Sequence, residues 1–187
     1  CSVAYLGDGA CEEGVVHECL NVASLQGLPV VFVVENNMYS SHLHITERQP
    51  NPYLSRYAEA HLMKSFQVDG NDVLAVKQVA YEAVSFAKGR LAPVLVEAFT
   101  YRQRGHVDWR DDVDVGIARS QDDLNYWKDR CPIKRLQEAC VREHRLSHDE
   151  IREIALSVDR MVIEAEKNAL DSEPAEPSSL ANYLFDE

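Results

Sequence analysis

The chain has 187 residues, 45% hydrophobic and 27% charged, a balance that suits a globular domain with a sizeable core. Its formal net charge of -12, with no offsetting basic stripe, excludes a nucleic-acid backbone as partner. No apolar run approaches the roughly 20 residues of a membrane-spanning helix, and no membrane partner is expected. Residues 1–6 lack the charged region and cleavage pattern of a secretory signal.

Five cysteines, an odd number with no CxxC pair, read as free thiols in a reducing compartment. The expected location is the cytoplasm, or the mitochondrial matrix for a eukaryotic chain. The sequence opens directly on a strand-like run without Met, so a longer parent polypeptide is expected.

In chain order, Ser2–Leu6 reads as a short buried strand. Val15, Val16, Cys19, Leu20, Val22, Ala23 and Leu25 then recur near helical spacing between Glu12 and Gln26, with Gly27 placed to end the helix. Val30–Val34 is a second continuous apolar run, the pattern of a parallel strand covered on both faces. Together these make a βαβ unit with a right-handed crossover. Asn36 to about Pro52 is polar and reads as one long loop.

Phe66–Val68 reads as a short strand, and Asp72 as the N-cap of a helix running to about Lys88. "PVLVEAFTY" (Pro93–Tyr101) is a third strand, ending at a loop rich in Asp and Arg. Beyond Ser120 the pattern turns helical. Ser147 with Glu150 forms a capping box opening a helix from Asp149 to about Leu170, and the acidic, proline-broken tail reads as an extended arm. The expected fold is α/β, a parallel β-sheet with helices on both faces. The expected domains are an α/β domain over 1–119 and a C-terminal helical extension over 120–187.

Chemistry concentrates where the first two strands stop. Gly7, Gly9 and Gly14 suit close backbone approach to a phosphate beyond a strand's carboxyl end. The stretch is neither a dinucleotide fingerprint, since Glu12 holds the third-glycine position, nor a P-loop, since no Gly-Lys-Ser/Thr follows. Asp8, Glu12 and Glu13 would repel a phosphate. At about 4 Å, two like charges cost roughly 4 kcal/mol at an effective dielectric near 20. A divalent cation bridging Asp8 and a diphosphate reverses that sign, and Mg²⁺ takes such oxygen ligands. The competing reading is that Asp8 caps the following helix. The 26 residues between Gly9 and Asn36 suffice for one helix and one returning strand. They bring Asn36-Asn37 to the same sheet edge, where an amide oxygen adds a neutral ligand and the Tyr39 carbonyl another.

Taken together, "GDGACEEG", "ENNMYS", "VDGND" and "TYRQRGH" resemble, in that order, the alpha subunit of the first component of 2-oxo acid dehydrogenase complexes. The pyruvate, branched-chain and acetoin dehydrogenases belong to that family. The resemblance implies thiamin diphosphate and Mg²⁺ as cofactors. It makes Asp8, the Asn37 side chain and the Tyr39 carbonyl metal ligands, and gives the diphosphate the backbone N–H groups of Gly9 and Ala10. His106 would contact the diphosphate near the active-site mouth and orient or stabilise charge there. It further implies oxidative decarboxylation of a 2-oxo acid such as pyruvate, with acyl transfer to a lipoyl group. An acetoin-type ketone cleavage or a truncated, non-catalytic domain are the alternatives.

The implied partners are a beta subunit, in an α₂β₂ assembly, and a lipoyl acyltransferase core. Because the family's activating glutamate belongs to the beta subunit, this chain is expected to be inactive alone. Val107 stands where phosphorylation-regulated members carry serine, so control at that position is excluded. Four further readings are bland. Arg102 is a structural ion pair, His42 and His44 sit in an exposed loop, Glu35 is a hydrogen-bonding support, and Trp109 and Trp127 pack. Cys11, with no Lys or Arg nearby in sequence, is inert packing.

Overall fold

A computed structural model of the chain describes residues 1–107 and 119–182. Those residues fall into two compact units, Cys1–Leu136 and Gln137–Glu187. The first runs β1 (Ser2–Gly7), α1 (Gly14–Gln26), β2 (Val30–Asn36), the hairpin β3 (Tyr39–Ser40) and β4 (Leu43–His44), and α2 (Ile45–Arg48). It continues with α3 (Arg56–Ala60), β5 (Lys64–Asp69), α4 (Val73–Arg90), β6 (Val94–Phe99), α5 (Gln121–Asp129) and the start of α6 (Pro132–Arg142). The second unit holds the rest of α6, α7 (His148–Asp171) and a 3-10 turn at Pro177–Ala181.

The expected architecture is met. Four strands pair in parallel in the order β1-β2-β6-β5, in register from Gly7 opposite Glu35 to Asn36 opposite Phe99. On one face Val16, Leu20 and Ala23 of α1 bury against Phe32, Val34 and Leu95; on the other Ala83 and Ala87 of α4 bury against Val31, Val94 and Val96. Alternate residues of β2 and β6 therefore enter different cores, which is why both strands read as unbroken apolar runs.

Local chemistry sets the element ends. Gly27 adopts the left-handed conformation (φ 64°) that stops α1, where the Leu28 N–H reaches Ala23 O at 2.9 Å. Asp72 Oδ1 accepts from the N–H groups of Leu74 (3.1 Å) and Ala75 (3.0 Å), as an N-cap should. The Ser147–Glu150 capping box forms in both directions.

Four expectations need correction. Strand β1 is an edge strand rather than a buried one: α4 packs on β2, β5 and β6, leaving Val3 48% and Tyr5 69% exposed. The long loop after Asn36 is a hairpin followed by a short helix, because Ile45 is buried and its N–H bonds Met38 O at 2.7 Å. Strand β5 is twice the expected length, with Ser65 and Gln67 on the face opposite Phe66 and Val68 and Lys64 lying over the Phe66 ring. Helix α1 starts at Gly14, after a 3-10 turn at Ala10–Glu12.

The division at Leu136 also lies beyond the expected boundary at 119. Helix α5 belongs with the sheet because Trp127 stacks on Tyr101, ring centroids 5.6 Å apart, and Arg130 and Arg135 both bind Asp69.

Candidate metal and anion site at the sheet rim

Parallel pairing of Gly7 with Glu35 sets Asp8 level with Asn36 at the carboxyl edge of the sheet. Asp8 is 1% exposed. It does not cap the following helix, since Glu13 is the N-cap of α1 and caps without its side chain. Instead its Oδ2 accepts from Arg48 Nη2, while Arg48 Nη1 donates to Glu12 and Arg48 Nε to Leu43 O at 3.1 Å. A buried carboxylate is costly unless it is paired, so this rim demands a cation, and in this state the guanidinium supplies it.

The second strand end folds over the first. Asn36 is fully buried: its Oδ1 accepts from Met38 N at 3.1 Å, and its Nδ2 donates to Glu97 Oε1 at 2.8 Å and Pro52 O at 3.1 Å. Asn37 Oδ1 accepts from Tyr39 N at 2.9 Å. These two side-chain turns hold Met38 at φ 67°, a left-handed conformation that residues other than glycine rarely adopt, and such strain concentrates at functional sites. The chain then lies against the glycine loop. A Cβ at Gly9 would meet Ser40 Oγ at 2.3 Å, so only glycine permits this approach.

Asp8, Gly9, Asn37 and Tyr39 are thus brought to one rim. Ala10 follows in the 3-10 turn, whose leading N–H groups have no partner within it. His106 lies on the exposed loop after β6. Its ring lies 6.3 Å from that of His42, in the hairpin that carries Ser40. Arg102, expected in an ion pair, donates to two backbone carbonyls, Ser41 O at 2.9 Å and Arg104 O at 3.1 Å.

His42 and His44 are half-buried hairpin residues rather than an exposed loop, and His44 Nδ1 accepts from Thr46 N at 3.4 Å to open α2. Glu35 is exposed, and the support role expected of it belongs to Glu97. Trp127 packs on Tyr101. Trp109 lies outside the described residues.

Glu97 and Arg48 are the residues that sequence reasoning missed. Glu97, 0% exposed, accepts from Asn36 Nδ2 and Leu54 N on Oε1 (both 2.8 Å), and from Ser55 N on Oε2 (2.9 Å). Its signal was visible as a lone carboxylate inside the apolar run "PVLVEAF". Arg48 gave none, being 36 residues from Glu12 and 40 from Asp8.

The Cys11 thiol is pushed up to about 12, chiefly by burial and then by the charges of Asp8, Glu97 and Glu12. It is inert packing, as expected.

The donor set fits a hard cation. One carboxylate, one amide and one backbone carbonyl are oxygen ligands of the kind Mg²⁺ takes. Among the described residues no cluster of three His, Cys, Asp or Glu forms, which leaves this mixed set as the candidate.

An α/β sheet whose strand ends gather a buried carboxylate and a glycine loop has the arrangement at which open α/β sheets in general take ligands. Residues 1–178 match the family of dehydrogenase E1 components, and the chain belongs to that family. It is 37% identical over 184 residues to the pyruvate dehydrogenase E1 component subunit alpha of Porphyra purpurea, covering 98% of this chain and 52% of that one. It is 38% identical over 190 residues to the chloroplastic subunit alpha-3 of Oryza sativa subsp. japonica, covering 99% and 43%. With the 3-methyl-2-oxobutanoate dehydrogenase subunit alpha of Mycobacterium tuberculosis it shares 39% over 134 residues, covering 72% and 36%. The chain spans about half the length, or less, of these relatives.

Proposed function

We propose that this chain carries the metal and diphosphate side of a thiamin diphosphate site in a 2-oxo acid dehydrogenase. The enzyme would oxidatively decarboxylate a 2-oxo acid such as pyruvate and pass the acyl group to a lipoyl arm. One observation carries the reading: the buried Asp8 carboxylate and the Asn37–Tyr39 segment share one strand-end rim, with Gly9 in contact with Ser40. The names of the relatives support the reaction class.

In this reading Asp8, the Asn37 amide and the Tyr39 carbonyl hold Mg²⁺, and Gly9 and Ala10 offer N–H groups to the diphosphate. When bound, the cofactor supplies a nucleophilic carbon and an electron sink. The protein's own work is positional. Glu97 fixes Asn36 and the 54–55 backbone, and Asn36 in turn fixes the strained Met38 turn that aims Asn37 and Tyr39. His106, on the neighbouring loop, would hold or move a proton near the reacting atoms.

A beta subunit would complete the pocket, so the isolated chain should show no decarboxylation. Calorimetry with thiamin diphosphate checks the binding half of the proposal. Uptake should require Mg²⁺ and be lost, by at least roughly a hundredfold, in Asp8→Ala. Uptake indifferent to both the metal and the substitution refutes it.

A further inference from the structure

Arg48 has no part in holding metal or diphosphate in the reading above, yet it is the residue most committed to the rim. Its side chain is 7% exposed, and its three guanidinium nitrogens are spent on Asp8, Glu12 and Leu43 O. It ends α2, a helix anchored by the fully buried Ile45 and held to the hairpin by the Ile45 N–H bond to Met38 O. Arg48 is therefore delivered to the rim by the same segment that delivers Asn37 and Tyr39.

The charges make this placement consequential. Asp8 and Glu12 together carry two negative charges, and Arg48 returns one positive charge. A divalent cation taking Asp8 competes with Arg48 Nη2 for the same negative charge and repels the guanidinium there. A diphosphate arriving with the metal changes the balance: it receives the freed guanidinium N–H groups and would otherwise meet an uncompensated Glu12.

We propose that Arg48 is an internal counter-ion that the metal displaces from Asp8 only together with the diphosphate, so that the two ligands are taken up as a pair. This rests on the assignment of Asp8 to a metal–diphosphate site. Reciprocity then follows. The factor by which diphosphate raises metal affinity is the factor by which the metal raises diphosphate affinity.

The test reads binding, not turnover, on the 187-residue chain. Mg²⁺ alone, and thiamin diphosphate at saturating Mg²⁺, are titrated calorimetrically into wild type, Arg48→Met and Glu12→Gln. Arg48→Met should bind Mg²⁺ alone about tenfold more tightly and thiamin diphosphate about tenfold more weakly. Glu12→Gln should shift both constants the other way, and it keeps the proposal testable if Arg48→Met fails to fold.

Constants in Arg48→Met that are unchanged, or that fall together, overturn the Arg48 inference while leaving the site intact. In wild type, absence of Mg²⁺-dependent uptake removes the site assignment itself, and with it this inference.

Discussion

At the residue scale, the informative side chains are those the chain buries at a cost. Glu97 sits in the middle strand pair with no exposure and is tolerated because four donors converge on it: Asn36 Nδ2, Leu54 N, Ser55 N and, at 3.3 Å, Gln67 Nε2. Replacing Glu97 by Ala orphans buried donors rather than deleting one bond. Urea unfolding should therefore show a loss of about 4 kcal/mol, and Glu97→Gln, which keeps one acceptor, about half of that. Equal, small losses for both would contradict the idea that the carboxylate pins the 54–55 backbone.

Cys11 is the converse case, a buried group kept neutral. With its thiol pushed up to about 12, alkylation at pH 8 should label exposed Cys1 and Cys19 first and leave Cys11 unmodified until the chain unfolds. The sign for stability follows from the same shift. The unfolded thiol ionises near its ordinary 9.0, so the contribution is full below that pH and is lost as pH rises toward about 12.

At the element scale, Asp69 is a central tie between the sheet and both α5 and the start of α6. Asp69 Oδ2 accepts from Arg130 and from Arg135 (3.0 Å), and Asp69 Oδ1 accepts from Asn71 N at 3.0 Å. Asn71 in turn donates to Arg130 O (3.0 Å) and accepts from Thr100 Oγ1 (2.8 Å). Asp69→Ala should cost about 2 kcal/mol, and amide hydrogens of 121–135 should exchange faster while those of β2 and β6 keep their protection. Uniform acceleration across both would instead mean that Asp69 supports the whole sheet.

The elements also show where periodicity suffices and where it fails. Apolar runs, the glycine stop at Gly27 and the caps at Asp72 and Ser147 are local signals, and the structure carries each of them out. The hairpin at 39–44 has only two paired residues per strand, too few to leave a period-2 pattern, and so read as loop. Helix α5 read correctly as helix, but its attachment depends on distant pairs, such as Asp69 with Arg130 61 residues on, which no local window contains.

At the scale of the whole molecule, the parallel direction of the sheet and the pairing of its first two strands were legible because a strand–helix–strand unit leaves few alternatives. The order β1-β2-β6-β5 was not read from it. The rim at Asp8 and Asn37 was legible because both residues end apolar runs, and runs in parallel register end at one edge. What escaped was everything set by which strand lies outermost. Val3 and Tyr5 are as apolar as Val31 and Val33, yet only the former are exposed, because α4 does not extend over β1. Charge neutralisation at the rim escaped for a related reason. Arg48 meets Asp8 across 40 residues of chain, and Coulomb pairing has no period to recognise.

The small hairpin has a last consequence. Two ladder pairs cannot keep a ribbon in shape unaided. Its form is borrowed from its surroundings: Gly9 beneath Ser40, the Arg102 side chain on Ser41 O, and Ile45 locked to Met38 O. Three loops therefore share one brittle clasp, and they should stiffen or slacken as a unit, never singly.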